Sequence, residues 1–133
     1  TCVSLSSSLA RVLGRRSGAR PGPTVVAFGG IHGNEPAGVA AIGRVLRRLD
    51  GLPLRGELVG LAGNLRAMAA GRRYVDRDLN RRWTGEHIAR IVNAGADEAS
   101  EDRETVELLQ VIVPLIRAAR EPIVFLDLHS TSG

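Results

Sequence analysis

The sequence predicts an α/β domain, a mixed and largely parallel sheet flanked by helices. Two observations carry this. Short apolar, β-branched runs at residues 24–28, 57–62 and 122–128 read as buried strands, and longer stretches between them repeat their apolar residues at helical spacing. Strand, helix, strand, helix, strand in that order requires crossover connections, which bring strands together in parallel. At 133 residues the chain is one domain with room for a real core. Nothing in it approaches the apolar run of about 18 residues that a membrane span needs.

Taken in order, residues 1–20 are serine- and arginine-rich, with Leu5, Leu9, Val12 and Leu13 at a spacing that fits a weak helix or a poorly ordered lead-in. Pro21-Gly22-Pro23 is a turn that sets off the first clear strand, Thr24 to Phe28. A helix follows from Pro36 to about Leu49, with Val39, Ile42, Val45, Leu46 and Leu49 on one face and Arg44, Arg47 and Arg48 on the other. The stretch Asp50-Gly51-Leu52-Pro53 ends it. Glu57 to Ala62 is the second strand, stopped at Gly63-Asn64. Residues 65–80 show little periodicity and much charge, which marks a functional loop. A short helix is expected at 86–93 and a polar connector at 94–102. A longer helix then runs from Asp102 to Arg120, with Val106, Leu109, Ile112, Val113 and Ile116 inward and a kink or break at Pro114. The last strand, Pro122 to Leu128, runs into His129.

Composition excludes several classes of function. All 18 basic residues are arginine and the net charge is +4, but the arginines are scattered. Phenylalanine, tyrosine and tryptophan total four residues, so the stacking platforms of a nucleic-acid binder are missing. A small anionic substrate suits some of the arginines better. The one cysteine, Cys2, rules out an internal disulfide framework and suits a reducing, cytoplasmic setting. The first residues are too polar for a signal peptide. The chain starts without methionine and stops at Gly133 directly after a strongly patterned segment, so a continuation beyond residue 133 is expected. An open sheet edge there would leave room for pairing with another copy, and so for a homo-oligomer.

The chemistry gathers at Phe28-Gly29-Gly30-Ile31-His32-Gly33-Asn34-Glu35-Pro36. Three glycines allow a sharp turn after the first strand, and Pro36 suits a helix start. His32 and Glu35 thus belong to a tight loop at a strand's carboxyl end, and His129 follows the last strand in the same way. Ligand sites of open α/β sheets lie at the carboxyl ends of strands. If those strands are parallel neighbours, His32, Glu35 and His129 surround one point. Two histidines and a glutamate with an open fourth position suit a single Zn2+ ion that polarises a carbonyl and activates water. Asp127, two residues before His129 and on the same side of the strand, could orient a histidine ring.

Three segments in order, FGGIHGNEPAG, GRRYVDRDLNRRW and FLDLHSTSG, resemble the succinylglutamate desuccinylase/aspartoacylase family of zinc carboxypeptidase-like hydrolases. The resemblance covers residues 24–133. It implies that His32, Glu35 and His129 ligate zinc, that Arg73 helps polarise the scissile carbonyl, and that Asn80 and Arg81 grip a substrate carboxylate. A bidentate arginine fork matches that last task. The activity implied is hydrolysis of the amide bond of an N-acyl amino acid. In GNLRA, Leu65 stands where the family more often has proline, so Asn64 and Arg66 are read as structural. The family's catalytic glutamate lies downstream of the third ligand, beyond Gly133, and none of Glu86, Glu98 and Glu101 matches its motif. Residues 21–133 are thus expected to be the N-terminal zinc-binding part of such a domain. The alternatives are a non-catalytic zinc- or ligand-binding domain on the same fold and a zinc carboxypeptidase.

The remaining polar residues have plainer readings. His87, beside Glu86, is expected on a helix surface. Asp76 and Asp78 would hold the loop through neighbouring arginines, Asp78 above all. Met68, Tyr74 and Trp83 are packing residues, and Ser130, Thr131 and Ser132 lack the setting of a nucleophile.

Overall fold

The computed structural model describes residues 9–96 and 99–130. The described residues fold into four strands and five helices in the order β1 (Val12–Ser17), β2 (Arg20–Gly29), α1 (Ala37–Arg48), β3 (Arg55–Ala62), α2 (Leu65–Ala69), α3 (Leu79–Arg82), α4 (Gly85–Ala94), α5 (Ser100–Ala118) and β4 (Ile123–Leu128). The strands form one sheet in the order β1-β3-β2-β4, with β3 and β4 parallel to β2 and β1 antiparallel to β3. The predicted mixed, largely parallel sheet is therefore the observed one.

Alternation along the strands sorts side chains to the two faces. Val26 and Phe28 of β2 and Val59 and Leu61 of β3 point to α5, where they meet Leu108, Ile112 and Leu115. Ala27 of β2 points the other way, to Ile42 and Leu46 of α1. Phe28 anchors the larger core, with its ring centroid 6.5 Å from that of Trp83 and 6.2 Å from that of Phe125. Helices on both faces of a parallel sheet are the expected way to bury it.

Register is what positions the site. Gly29 at the end of β2 pairs with Ala62 of β3 on one side and with Leu128 of β4 on the other. Three strands thus end at one level, and the segments that follow them leave the sheet side by side.

Several expectations are corrected. Residues 12–17 form an edge strand and β2 begins at Arg20, where a helix or poorly ordered lead-in was expected. The Arg15 and Glu57 side chains, paired at 2.6 Å across β1 and β3, help hold that edge. Residues 1–8, with Cys2, lie outside the described residues, as do Glu98, Thr131 and Ser132. Pro114 does not break α5, which runs unbroken from Ser100 to Ala118. Pro114 and Gln110 are both exposed, so the carbonyl that loses its N–H donor faces water. The inward stripe of α5 is also rotated from the predicted one: Leu108, Ile112 and Leu115 are buried, Ile116 is 49% exposed, and Glu101, Asp102, Glu104 and Thr105 continue the buried stripe toward the helix start. On α1, Ile42 and Leu46 are buried as expected, whereas Val45 is exposed.

Candidate metal centre

The loop from Gly30 to Pro36 is built by close approach. Gly30 takes φ +72°, a left-handed conformation that suits glycine. Gly33 has no room for a side chain: a Cβ there would lie 2.3 Å from the Ala67 carbonyl carbon and 2.4 Å from the Arg72 oxygen. Its N–H instead donates to the Arg73 carbonyl at 3.0 Å. The loop after β2 is thereby fastened to the 65–80 segment. The turn brings His32 back over the strand ends and leaves it 4% exposed.

His32, Glu35 and His129 offer ligand atoms that all lie within 4.8 Å of one another. His32 Nδ1 is 3.4 Å from Glu35 Oε1, and His129 Nδ1 is 3.0 Å from Glu35 Oε2. Tetrahedral zinc with bonds of about 2.1 Å separates its ligands by roughly 3.4 Å, so small side-chain movements would complete the geometry. The two imidazole rings are 5.0 Å apart and tilted by 56°, and neither stacks over the other.

Each histidine is held from behind by a carboxylate. His32 Nε2 lies 3.0 Å from Asp78 Oδ1, and His129 Nε2 lies 2.8 Å from Asp127 Oδ2. An acceptor at Nε2 selects the tautomer with hydrogen on that nitrogen and turns the Nδ1 lone pair toward Glu35. The Nδ1 atom of His32 is buried and has no hydrogen-bond partner. A buried lone pair without a donor is unfavourable in a folded protein, and here it points at a carboxylate that cannot donate. The donor set therefore fits a cation such as zinc.

The electrostatics agree. Burial works against ionisation of Glu35, but its bond to His129 and the charges of His32 and His129 hold its carboxyl below the usual range. Asp78 is likewise kept low, against its burial, by His32 and by the nearby Arg73 guanidinium. For His129, burial favours the neutral ring, yet Asp127 and Glu35 outweigh it and push the imidazole up. The same carboxylates that favour a proton on this ring favour any cation beside it. A metal ion would take the proton's place.

The residues of the long loop lie around Asp78. Arg73 directs Nε and Nη2 at Asp78 Oδ2, both at 3.4 Å, with half its side chain exposed. Arg81 Nε is 4.0 Å from the same oxygen and its side chain is 86% exposed. The Asn80 N–H donates to Asp78 Oδ1 at 3.1 Å, as the start of α3 requires. Asn80 and Asp127 also line an apolar cleft of about 350 Å³ whose walls include Phe28, Leu79, Trp83 and Phe125. Asp78 thus does hold the loop through arginine, as expected, and it also reaches His32. Nothing in the local sequence pairs Asp78 with a histidine 46 positions away.

Other assignments change. His87 is not a surface residue: its side chain is 10% exposed and Nε2 lies 2.8 Å from Asp102 Oδ1. Asp76 holds the loop through the Ser100 N–H at 2.7 Å. Trp83 packs on the core, Met68 lies under Gly30, and Tyr74 is exposed. Asn64 and Arg66 are structural as expected, since Asn64 caps α2 and Arg66 pairs with Glu104 and Glu107 at 2.8 Å each. Among the described residues, no helix is long and apolar enough to cross a membrane.

The family model of the succinylglutamate desuccinylase/aspartoacylase catalytic domain matches residues 21–133. The succinylglutamate desuccinylase of Burkholderia pseudomallei (strain 1710b) is 33% identical over 109 residues, which are 80% of this chain and 30% of that protein. The crystal structure of the succinylglutamate desuccinylase from Chromobacterium violaceum superposes with a TM-score of 0.65 at 29% identity, over 84% of this chain and 34% of that one. Murine aminoacylase 3 superposes with a TM-score of 0.58 at 30% identity, over 86% of this chain and 36% of that one. The chain spans about a third of the length of these relatives. With a family match over residues 21–133 and an α/β fold shared with solved relatives, the chain belongs to the succinylglutamate desuccinylase/aspartoacylase family.

Proposed function

We propose that residues 21–133 form the zinc-binding part of a hydrolase domain that cleaves the amide bond of an N-acyl amino acid, with one Zn2+ held by His32, Glu35 and His129. The observation that carries this reading is the buried, partnerless Nδ1 of His32, aimed at Glu35 beside His129. A zinc ion in this setting polarises a carbonyl oxygen and acidifies water. The chain's own residues do the rest. Asp78 and Asp127 fix the histidine rings, and Glu35 supplies the negative charge of the ligand set.

In this reading Arg73 lies at the rim of the centre, held lightly by Asp78 at 3.4 Å and half exposed, so its guanidinium can turn from that carboxylate to a developing oxyanion. Arg81 projects into solvent with Asn80 beside it, free to take a substrate carboxylate in a bidentate grip. Relatives named succinylglutamate desuccinylase and aminoacylase 3 support an acyl amino acid as the substrate class. Glu101 is ruled out as the base that deprotonates water, because it is fully buried and already accepts four hydrogen bonds. Arg73 and Arg81 at the rim suit a small anionic substrate.

Titration calorimetry of the zinc-loaded chain with N-succinylglutamate and N-acetylaspartate tests the proposal. Binding of either that weakens about tenfold or more in Arg81→Ala supports it, a loss in line with a charge-assisted bidentate pair. Equal binding by wild type and Arg81→Ala, or binding that ignores zinc, contradicts it.

A further inference from the structure

The segment from Arg72 to Arg82 carries Arg73, Asp78, Asn80 and Arg81, yet its only regular element among the described residues is the four-residue α3. Its order comes from the first turn of α5. The Glu101 carboxylate, fully buried there, accepts four N–H groups. Oε1 takes the Asn64 side-chain amide at 3.0 Å and the Val75 N–H at 2.7 Å, and Oε2 takes the N–H groups of Asp76 and Arg77, each at 3.0 Å. A carboxylate has about four acceptor positions, and here all are filled. Three successive backbone N–H groups turned toward one anion form a concave cradle of the kind that binds free anions, with a side chain of the same chain as the anion. The next residue along is Asp78, which reaches His32. The neighbouring acid, Asp102, also fully buried, faces Arg82 at 3.6 Å and His87 at 2.8 Å and so holds the far end of the segment.

We propose that Glu101 is a positioning residue of the site: by clamping the backbone of residues 75–77 it sets Asp78 against His32 and Arg73, and thereby fixes the orientation of the His32 ring. Burial alone would raise the Glu101 carboxyl, yet the Asn64 amide and the three backbone donors hold it below its usual range, so it serves as an anion. The consequence for metal affinity rests on the zinc-centre reading above; the effect on His32 does not. Glutamine cannot replace Glu101, because its single oxygen can serve two of the four donors while its NH2 faces the other two.

Imidazole ¹⁵N spectra of the metal-free chain test this directly, with Asp78→Asn marking the loss of the His32 partner and Leu46→Ala, on the opposite face of the sheet, as the control for general destabilisation. In Glu101→Gln the His32 Nε2 resonance is expected to move toward its Asp78→Asn position, and in Leu46→Ala to stay at the wild-type position. Zinc affinity, measured by chelator competition, is expected to fall about tenfold or more in Glu101→Gln and Asp78→Asn, the usual effect of removing a carboxylate behind a ligating histidine, and to hold in Leu46→Ala. A folded Glu101→Gln chain with the wild-type His32 resonance overturns the proposal. If Glu101→Gln does not fold, amide exchange in the wild type decides: protection of the 75–77 amides equal to that of α5 supports the clamp, and exchange at open-loop rates overturns it. A wild-type chain that takes up no zinc would sink the metal-centre reading, while the His32 resonance would still judge Glu101.

Discussion

Asp78 touches the candidate centre on two sides: Oδ1 lies 3.0 Å from His32 Nε2, and Oδ2 lies 3.4 Å from Arg73 Nη2. One carboxylate therefore links a proposed metal ligand to a proposed substrate residue. In Asp78→Asn the ring loses its anionic acceptor and Arg73 its counter-charge. Zinc affinity is expected to drop 10–100-fold. Chelator competition measures it, and an unchanged affinity would mean that packing alone orients the ring.

Gly33 is expected to tolerate no side chain. The alanine Cβ would lie 2.3 Å from the Ala67 backbone and 2.5 Å from the Met68 nitrogen, neither of which can swing aside. Overpacking of this kind costs about 1–3 kcal/mol. The displaced loop carries both His32 and Glu35, so Gly33→Ala should lose thermal stability and zinc affinity together. Gly51→Ala differs: nothing lies within 4 Å of its Cβ position, but φ is +72°, so it should lose stability alone.

The pH dependence of stability follows from Glu101. Its folded-state pKa is depressed, against burial, by the Asn64 amide and three backbone N–H groups. A group of this sign contributes stability that is fully present above its unfolded pKa, about 4.3, and is lost as pH falls through the folded value. Glu101→Gln should thus lower the melting temperature at pH 7, because buried N–H donors lose their acceptor at a cost of about 1–3 kcal/mol each. The gap to wild type should narrow below about pH 4, first because the unfolded wild-type chain takes up a proton at Glu101 and then, at lower pH, because the folded carboxyl does. Thermal melts between pH 3 and 7 check this, and a gap that stays constant would show that the carboxylate charge is not what the loop needs.

Much of this was legible in the sequence because it is local or periodic. The strands around Val26 and Val59, the helix start at Pro36, and the ends of β2 and β4 carrying His32 and His129 all follow from patterns within about ten residues. Parallel strands in register then bring His32 and His129 together, which is why two distant motifs could be read as one site. The parts that were not legible are long-range polar pairings. Asp78 with His32, His87 with Asp102 and Glu101 with the 75–77 backbone join residues 15 to 46 positions apart, and an acidic side chain carries no mark of its partner. One signal was present. Extending the helical stripe of Leu108, Ile112 and Leu115 back toward the start of α5 lands on Glu101, Glu104 and Thr105, polar residues on the core side of a helix. β1 was missed for another reason: Gly14, Arg15, Arg16 and Ser17 give it a weak apolar pattern, and its pairing with β3 is what makes it a strand.

Metal content measured by elemental analysis, with a chelator-reversible thermal shift, on the wild-type chain and on His129→Ala tests the central claim most directly. His129 belongs to neither hydrophobic cluster and its side chain is 31% exposed, so its loss should leave the fold intact. One zinc per wild-type chain, a melting temperature lowered by chelator, and neither property in His129→Ala is the result expected. A folded wild-type chain that takes up no zinc, or a His129→Ala chain that keeps it, would contradict the site.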